Sequence, residues 1–288
     1  MNFKDLTQHF TAGLVGIYDP DEAIAIFSMA ASHVVGWDRG RLMFNALQEV
    51  PEAEYLSFLE ILEELKTGKP IQYVLGETVF YGLKFKVSPA VLIPRPETEE
   101  LVEWVIQEAG SSDGMAGRSV QQMRILDIGT GSGCIAVSLK KQLPKAEVSA
   151  LDVSESAIQI ASANAFINQV VVHFIEADIR EYSTTGKFDI IVSNPPYITQ
   201  KEKEEMQQNV LDHEPHLALF VTNEDPLVFY KAIADFALSN LAPEGKLFFE
   251  INEYLGQEMI AMLQDKSFKN IVLRKDMQGK DRMIVCSL

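Results

Sequence analysis

The chain has 288 residues, of which 47% are hydrophobic and 23% charged, an ordinary globular composition with room for one large domain or two smaller ones. No apolar run approaches the roughly 20 residues that span a bilayer, and no signal peptide is readable behind Met1-Asn2-Phe3-Lys4-Asp5. The formal net charge of −16 counts against stand-alone nucleic-acid binding, which draws on Lys and Arg to release counterions; it suits a basic protein or segment as partner, or solubility alone, the usual role of an acidic surface.

The two cysteines, Cys134 and Cys286, are far apart and form neither a disulfide framework nor a metal spacing. The expected compartment is the cytoplasm, and the expected state is a monomer. From the N-terminus, Asp19-Pro20-Asp21-Glu22 has the marks of a helix start, with Asp19 as N-cap and Pro20 at the first helical position. A second start lies at Pro51, after which Tyr55, Phe58, Leu59, Leu62 and Leu65 share one apolar face. Lys66-Thr67-Gly68 closes it. Residues 1–75 therefore read as a small helical domain.

The pattern then changes. Val79 to Val87 places β-branched and aromatic residues around Gly82, as a hairpin does, so residues 76–96 read as a β-hairpin linker. After the proline-punctuated Ile93-Pro94-Arg95-Pro96-Glu97-Thr98, Thr98 or a neighbour is expected to cap a helix carrying Leu101, Val102, Val105 and Ile106. Gly110-Ser111-Ser112-Asp113-Gly114 reads as a polar linker inside a third region, 97–288. From Met123, short apolar strands alternate with helices: Arg124–Ile128, Glu147–Leu151, Val171–Ile175, Phe188–Val192, Lys246–Ile251, Asn270–Leu273 and Arg282–Cys286. Alternation predicts an α/β fold with a parallel sheet covered on both faces. The gap around Asp276-Met277-Gln278-Gly279-Lys280 is too short for a helical crossover, so the last two strands should form an antiparallel hairpin.

Four strand ends carry chemistry. Leu126-Asp127-Ile128-Gly129-Thr130-Gly131-Ser132-Gly133 follows a strand and opens a helix, where glycines allow a sharp turn and close approach of a ligand. The next strand ends in Asp152, whose carboxylate can accept from both hydroxyls of a ribose. A dinucleotide enzyme is the competing reading. Asp127 is unhelpful near a pyrophosphate and suits an ammonium or the fixing of the loop, which favours S-adenosylmethionine. Further on, Ile179 is placed to pack on adenine and Asp178 to accept from its amino group; a core isoleucine and a solvated acid fit those residues equally well.

The fourth strand end is Asn194-Pro195-Pro196-Tyr197. Proline holds Asn194 extended and fixes the carbonyls after it. An Asn oxygen and the Pro195 carbonyl can then accept both N–H groups of a planar NH₂, and Tyr197 can stack on the flat group. An amide nitrogen is a poor nucleophile, so preorganised acceptors that stabilise the positive charge developing on it are what the chemistry needs.

With these motifs the sequence resembles the HemK/PrmC family of protein-(glutamine-N5) methyltransferases. Pro70 to Gly76, Phe80-Tyr81-Gly82-Leu83, Leu92 to Glu99, Glu214 to Phe220, and Lys275-Asp276 through Asp281-Arg282 carry the likeness, the Leu92–Glu99 stretch most specifically. The resemblance implies a Rossmann-like class I S-adenosylmethionine methyltransferase sheet with an antiparallel last strand, behind a helical domain that helps hold a release factor. It implies cofactor contacts at Gly129 to Gly133, Asp152, Ile179 and Asn194, with S-adenosylhomocysteine as product. It implies substrate-glutamine contacts at Asn194, Pro195, Pro196 and Tyr197, the substrate being the Gly-Gly-Gln tip of peptide chain release factors. Asn223 to Leu227 and Ile251-Asn252 depart from the family pattern and read as surface-loop differences. The alternative reading is an adenine N6 methyltransferase acting on a flipped DNA or RNA base; a scaffold that has lost catalysis is a third. No metal is expected: Pro215 interrupts His213-Glu214-Pro215-His216. Cys134 reads as a small buried residue, and Arg95, Glu97 and Glu99 as cofactor-lining, loop-ordering, solvated or capping.

Overall fold

The structure, a computed structural model, describes residues 1–110, 123–199, 201–205 and 208–288. Beyond Gly110, the polar linker expected at 110–114 lies outside the described residues. Two compact units are present: Met1–Glu77 with Gln207–His213, and Thr78–Met206 with Glu214–Leu288.

The first unit carries helices Phe3–Gly13, Pro20–Val35, Arg39–Phe44, Glu52–Leu65 and Ile71–Leu75. The Asp19 side chain accepts from the Glu22 N–H at 2.9 Å, so the second helix starts where the sequence marks it. Gly36, at φ 66°, ends it in the left-handed conformation. Phe3, Phe10, Phe27 and Phe58 fill the core, with Phe27 and Phe58 stacked at 5.4 Å. Each such buried ring contributes roughly 1.5–3 kcal/mol.

The second unit opens on β1 (Glu77–Phe80) and β2 (Leu83–Lys86), joined at Tyr81 and Gly82, both with positive φ. A two-residue hairpin turn of this hand needs that geometry. Then come β3 (Arg124–Ile128), β4 (Glu147–Asp152), β5 (His173–Glu176), β6 (Phe188–Ser193), a short pair β7 (Ile198–Thr199) and β8 (Phe220–Val221), and finally β9 (Leu241–Glu250), β10 (Lys269–Lys275) and β11 (Asp281–Ser287). The main sheet has the order β10-β11-β9-β6-β3-β4-β5. It is parallel except for β11, which is antiparallel to both neighbours. That strand, the last of the chain, is antiparallel as expected and is inserted between β9 and β10.

Side-chain alternation divides the core across the sheet. Ile125, Ile190 and Val192 pack with Trp104 and Val105 on one face; Leu126, Ile128 and Ile191 pack with Tyr230 and Ile233 on the other. From β3 the chain builds outward through β4 to β5, then returns to β6 on the opposite side of β3. Such a reversal opens a crevice at the carboxyl ends of the central strands.

Candidate active site

A cavity of about 430 Å³ occupies that crevice. Its walls include Gly129 to Ser132 after β3, Asp152 at the end of β4, Asp178 and Ile179 after β5, and Ser193, the last residue of β6, with Asn194 to Pro196 after it; Leu92, Arg95 and Thr98 lie beside them.

The glycine loop is bonded mainly to itself and to β4. The Gly129 and Thr130 N–H groups donate to the Leu151 carbonyl at 2.8 and 3.0 Å. The Gly133 N–H donates to the Thr130 carbonyl at 2.8 Å, and the Gly131 N–H to Asp152 Oδ2 at 2.8 Å. Four amide donors are thereby consumed. A pyrophosphate cradle works by leaving such donors open, so this loop does not act as one. Gly133, at φ 80°, also meets the next helix: a Cβ there would come within 3.0 Å of Ala161 Cβ. Asn164 ties the loop to the hairpin, donating to the Ser132 and Lys86 carbonyls at 2.9 Å each.

Asp127 lies fully buried behind the loop. Its Oδ2 accepts from Thr130 Oγ1 at 2.6 Å and from the Ala136 N–H at 3.3 Å, while Oδ1 has no hydrogen-bond partner. Burial pushes its pKa up to about 7 against the pull of those bonds. Asp152 accepts the Ser154 N–H at 3.0 Å besides that of Gly131, and burial raises its pKa also. Across the cavity, Arg180 pairs with Asp178 at 2.5 Å and holds that carboxyl below its ordinary range.

The β6 end is held by side chains. Ser193 Oγ donates to the Ile128 carbonyl at 2.6 Å, locking β6 to β3. Asn194 Nδ2 donates to Thr98 Oγ1 at 3.3 Å, and Thr98 Oγ1 donates to Glu250 Oε2 at 2.6 Å. The Tyr197 hydroxyl donates to Glu250 Oε1 at 3.3 Å, and burial beside that acid raises its pKa. Asn252 Nδ2 donates to the Tyr197 carbonyl at 3.2 Å and to Glu202 Oε1 at 2.7 Å. At the rim, Arg95 pairs with the buried Glu214 at 2.5 Å. Glu99 Oε1 accepts the Tyr81 N–H at 2.6 Å and so fixes the hairpin turn.

Over 99% of this chain and 98% of its relative, the sequence is 46% identical to the release factor glutamine methyltransferase of Flavobacterium psychrophilum. The chain belongs to the release factor glutamine methyltransferase family. The protein of that name from Bacteroides thetaiotaomicron is 41% identical over 98% of this chain and 99% of its own. Residues 5–76 match the family model of the PrmC N-terminal domain, and residues 115–218 that of the methyltransferase small domain. Among solved structures, the human METTL16 catalytic domain in complex with the MAT2A 3′UTR hairpin 6 has a TM-score of 0.55 at 16% identity, over 82% of each chain. At that identity the likeness is one of fold.

Within this methyltransferase family member, the sequence-marked residues are distributed unevenly. Gly129, Thr130, Gly131, Ser132, Asp152, Asp178, Ile179, Asn194, Pro195 and Pro196 come together on the cavity wall. Asp127, Gly133 and Tyr197 stand behind it: Asp127 fixes Thr130, Gly133 lets two helices approach, and the Tyr197 hydroxyl is spent on Glu250. Thr98 does not cap its helix, which spans Pro96–Gly110; it sits inside the first turn with its hydroxyl on Glu250. Asn252 is no surface-loop variation: it is buried and bonded to the tetrapeptide itself. Cys134 is buried, which pushes its thiol up to about 12. Glu250 and Asn164 are not marked by the sequence, and Asn252 is marked only as a loop difference. The available signal was a lone acid closing an apolar strand, Phe248-Phe249-Glu250, and two asparagines at buried positions.

Proposed function

We infer that the chain transfers a methyl group from S-adenosylmethionine to the side-chain amide nitrogen of the glutamine in the Gly-Gly-Gln tip of peptide chain release factors, leaving S-adenosylhomocysteine. The observation that carries this reading is one cavity that joins a glycine loop with its amides spent to the acceptor corner at Asn194, in a chain of this family. The enzyme is taken to act as a monomer in the cytoplasm.

The residues fit the cofactor. Asp127, with Oδ1 unpartnered, puts a buried acid directly behind the loop. That favours a bound ammonium and disfavours a pyrophosphate. The two oxygens of Asp152 each carry one backbone N–H, which leaves lone pairs for ribose hydroxyls. Ile179 offers an apolar wall for adenine, beside the Asp178–Arg180 pair.

S-adenosylmethionine supplies, when bound, an electrophilic methyl group on a sulfonium. The chain supplies orientation and charge stabilisation. Asn194 Oδ1 and the Pro195 carbonyl accept the two N–H groups of the glutamine amide, and the rigid prolines keep those acceptors aimed. As the N–C bond forms, positive charge grows on nitrogen, and the acceptor dipoles stabilise it without reorganising. The nitrogen then gives one proton to solvent, so no strong base is required.

An exocyclic adenine NH₂ makes the same geometric demand, but that reading is not favoured: the relatives matched over the whole chain carry the glutamine name. The test is transfer from labelled S-adenosylmethionine to a purified release factor and, separately, to unmethylated DNA. Label is expected on the release factor. Label on DNA alone would sink the reading.

A further inference from the structure

Glu250 takes no part in the transfer as described, yet it is the acid on which the acceptor corner converges. It closes β9 at 2% exposure. Both of its carboxylate oxygens are used, Oε2 by Thr98 and Oε1 by Tyr197. An ionised carboxylate has no proton to give. The single hydroxyl hydrogen of Thr98 is therefore committed to Glu250, and its oxygen can only accept from its other neighbour. That neighbour is Asn194 Nδ2. The Asn194 amide is thus held one way round, nitrogen toward Thr98, which leaves Oδ1 as the end available to the cavity that Asn194 lines. Turned over, Asn194 would set two oxygens against each other with no hydrogen between them. It would also offer an NH₂ to a substrate that itself brings an NH₂.

We propose that Glu250, acting through Thr98, is a positioning residue that fixes Asn194 as a hydrogen-bond acceptor for the substrate amide. The proposal rests on the reading of Asn194 as the residue that receives that amide. Glu250 also anchors the Tyr197 hydroxyl, so one buried carboxylate holds both ends of the tetrapeptide.

The relay has a sign. A proton on Glu250 lets it donate to Thr98, which can then donate in turn, and the donor order that fixes Asn194 is reversed. The titratable and charged groups facing Glu250 are Glu97 on the helix that carries Thr98, Cys134 at the start of its helix, Tyr197 after β6, Tyr230 from helix Val228–Asn240 and Arg282 on β11. Burial pushes the Glu250 carboxyl upward; the Thr98 bond, Arg282 and the Tyr197 bond oppose this, and Glu97 adds to it. Turnover should then rise with pH through a single ionisation that lies above the ordinary carboxylate value.

The test compares wild type with Thr98→Val, Thr98→Ser and Glu250→Gln, each checked for cooperative unfolding and for S-adenosylmethionine affinity. Thr98→Val and Glu250→Gln should lower kcat on the release factor about 10- to 100-fold, with KM and cofactor Kd within about threefold. Thr98→Ser, which restores the hydroxyl, should stay within about threefold of wild type. The acid limb of kcat at saturating cofactor should vanish in Glu250→Gln. A second readout needs no turnover: the Asn194 side-chain NH₂ resonances, assigned by their loss in Asn194→Asp. One of the two protons should exchange slowly in wild type and Thr98→Ser and rapidly in Thr98→Val. A folded Thr98→Val enzyme with wild-type kcat, or equal exchange in all variants, overturns the relay. Wild type that leaves the release factor unmethylated while showing the protected amide overturns the substrate reading instead.

Discussion

Two of the strand ends that form the cavity, those of β3 and β6, are built in opposite ways. After β3 the loop is held mostly by backbone: four consecutive or near-consecutive amides find carbonyls or Asp152 within 3.0 Å. After β6 the tetrapeptide is held by side chains drawn from three other places, Thr98, Glu250 and Asn252. Their two buried acids differ in the same sense. Asp127 has an oxygen with no partner, while both Glu250 oxygens are bonded. A site held by backbone keeps its form when a side chain changes, so substitutions there should act on what is bound. A site held by a chain of side chains should lose its chemistry when one of them is removed.

The largest effect on turnover is expected from Asn194→Ala. Turnover should fall about 10²–10³-fold, because an acceptor aimed at developing charge is lost. Cofactor affinity, measured by calorimetry, should largely survive. Unchanged turnover would show that the tetrapeptide is not the site. Asp152→Ala should show the reverse split: cofactor Kd weakened about 10- to 100-fold, with most turnover recovered at saturating cofactor. Loss of turnover at saturation with normal affinity would erase the distinction between the two ends.

Asp127 sharpens the comparison through pH. Its folded pKa, about 7, lies above the ordinary 3.8. The folded state therefore binds the proton more tightly than the unfolded chain. Its contribution to stability is complete below the unfolded value and is lost as pH rises through about 7. Denaturant titrations of the ligand-free protein should show a decline on the order of 4 kcal/mol across that window, absent in Asp127→Asn. An identical slope in the variant would assign the effect elsewhere. The smallest effect belongs to Gly133→Ala. A Cβ at φ 80°, 3.0 Å from Ala161 Cβ, strains the loop and separates two helices. A loss of about 1 kcal/mol or somewhat more is expected in thermal unfolding, with little change in kcat at saturating cofactor.

The same contrast governs what could be read without coordinates. The sheet strands and the glycine loop are local patterns: alternation, a strand running into glycines, an acid at the next strand end. Each declares itself within about ten residues, and each is found where its pattern lies. The supports of the tetrapeptide are separated from it along the chain. Thr98 and Glu250 are 152 residues apart, and Asn194 and Thr98 are 96 apart. A threonine at a helix start is compatible with capping or with a distant acid, and only the fold decides. Asn252 looked like a loop substitution because its partners, Tyr197 and Glu202, are brought near by the packing of β9 against β6. The pairing of β10 with β11 follows from the short gap between them, but the pairing of β11 with β9, which puts it inside the sheet, has no local signature.

The most direct measurement is peptide mapping of a release factor after incubation with the enzyme and S-adenosylmethionine. The account predicts a single added methyl group on the side-chain nitrogen of the Gly-Gly-Gln glutamine, absent when Asn194→Ala replaces wild type. A methyl group on another residue, or an unmodified tip beside a folded, cofactor-binding enzyme, would contradict it.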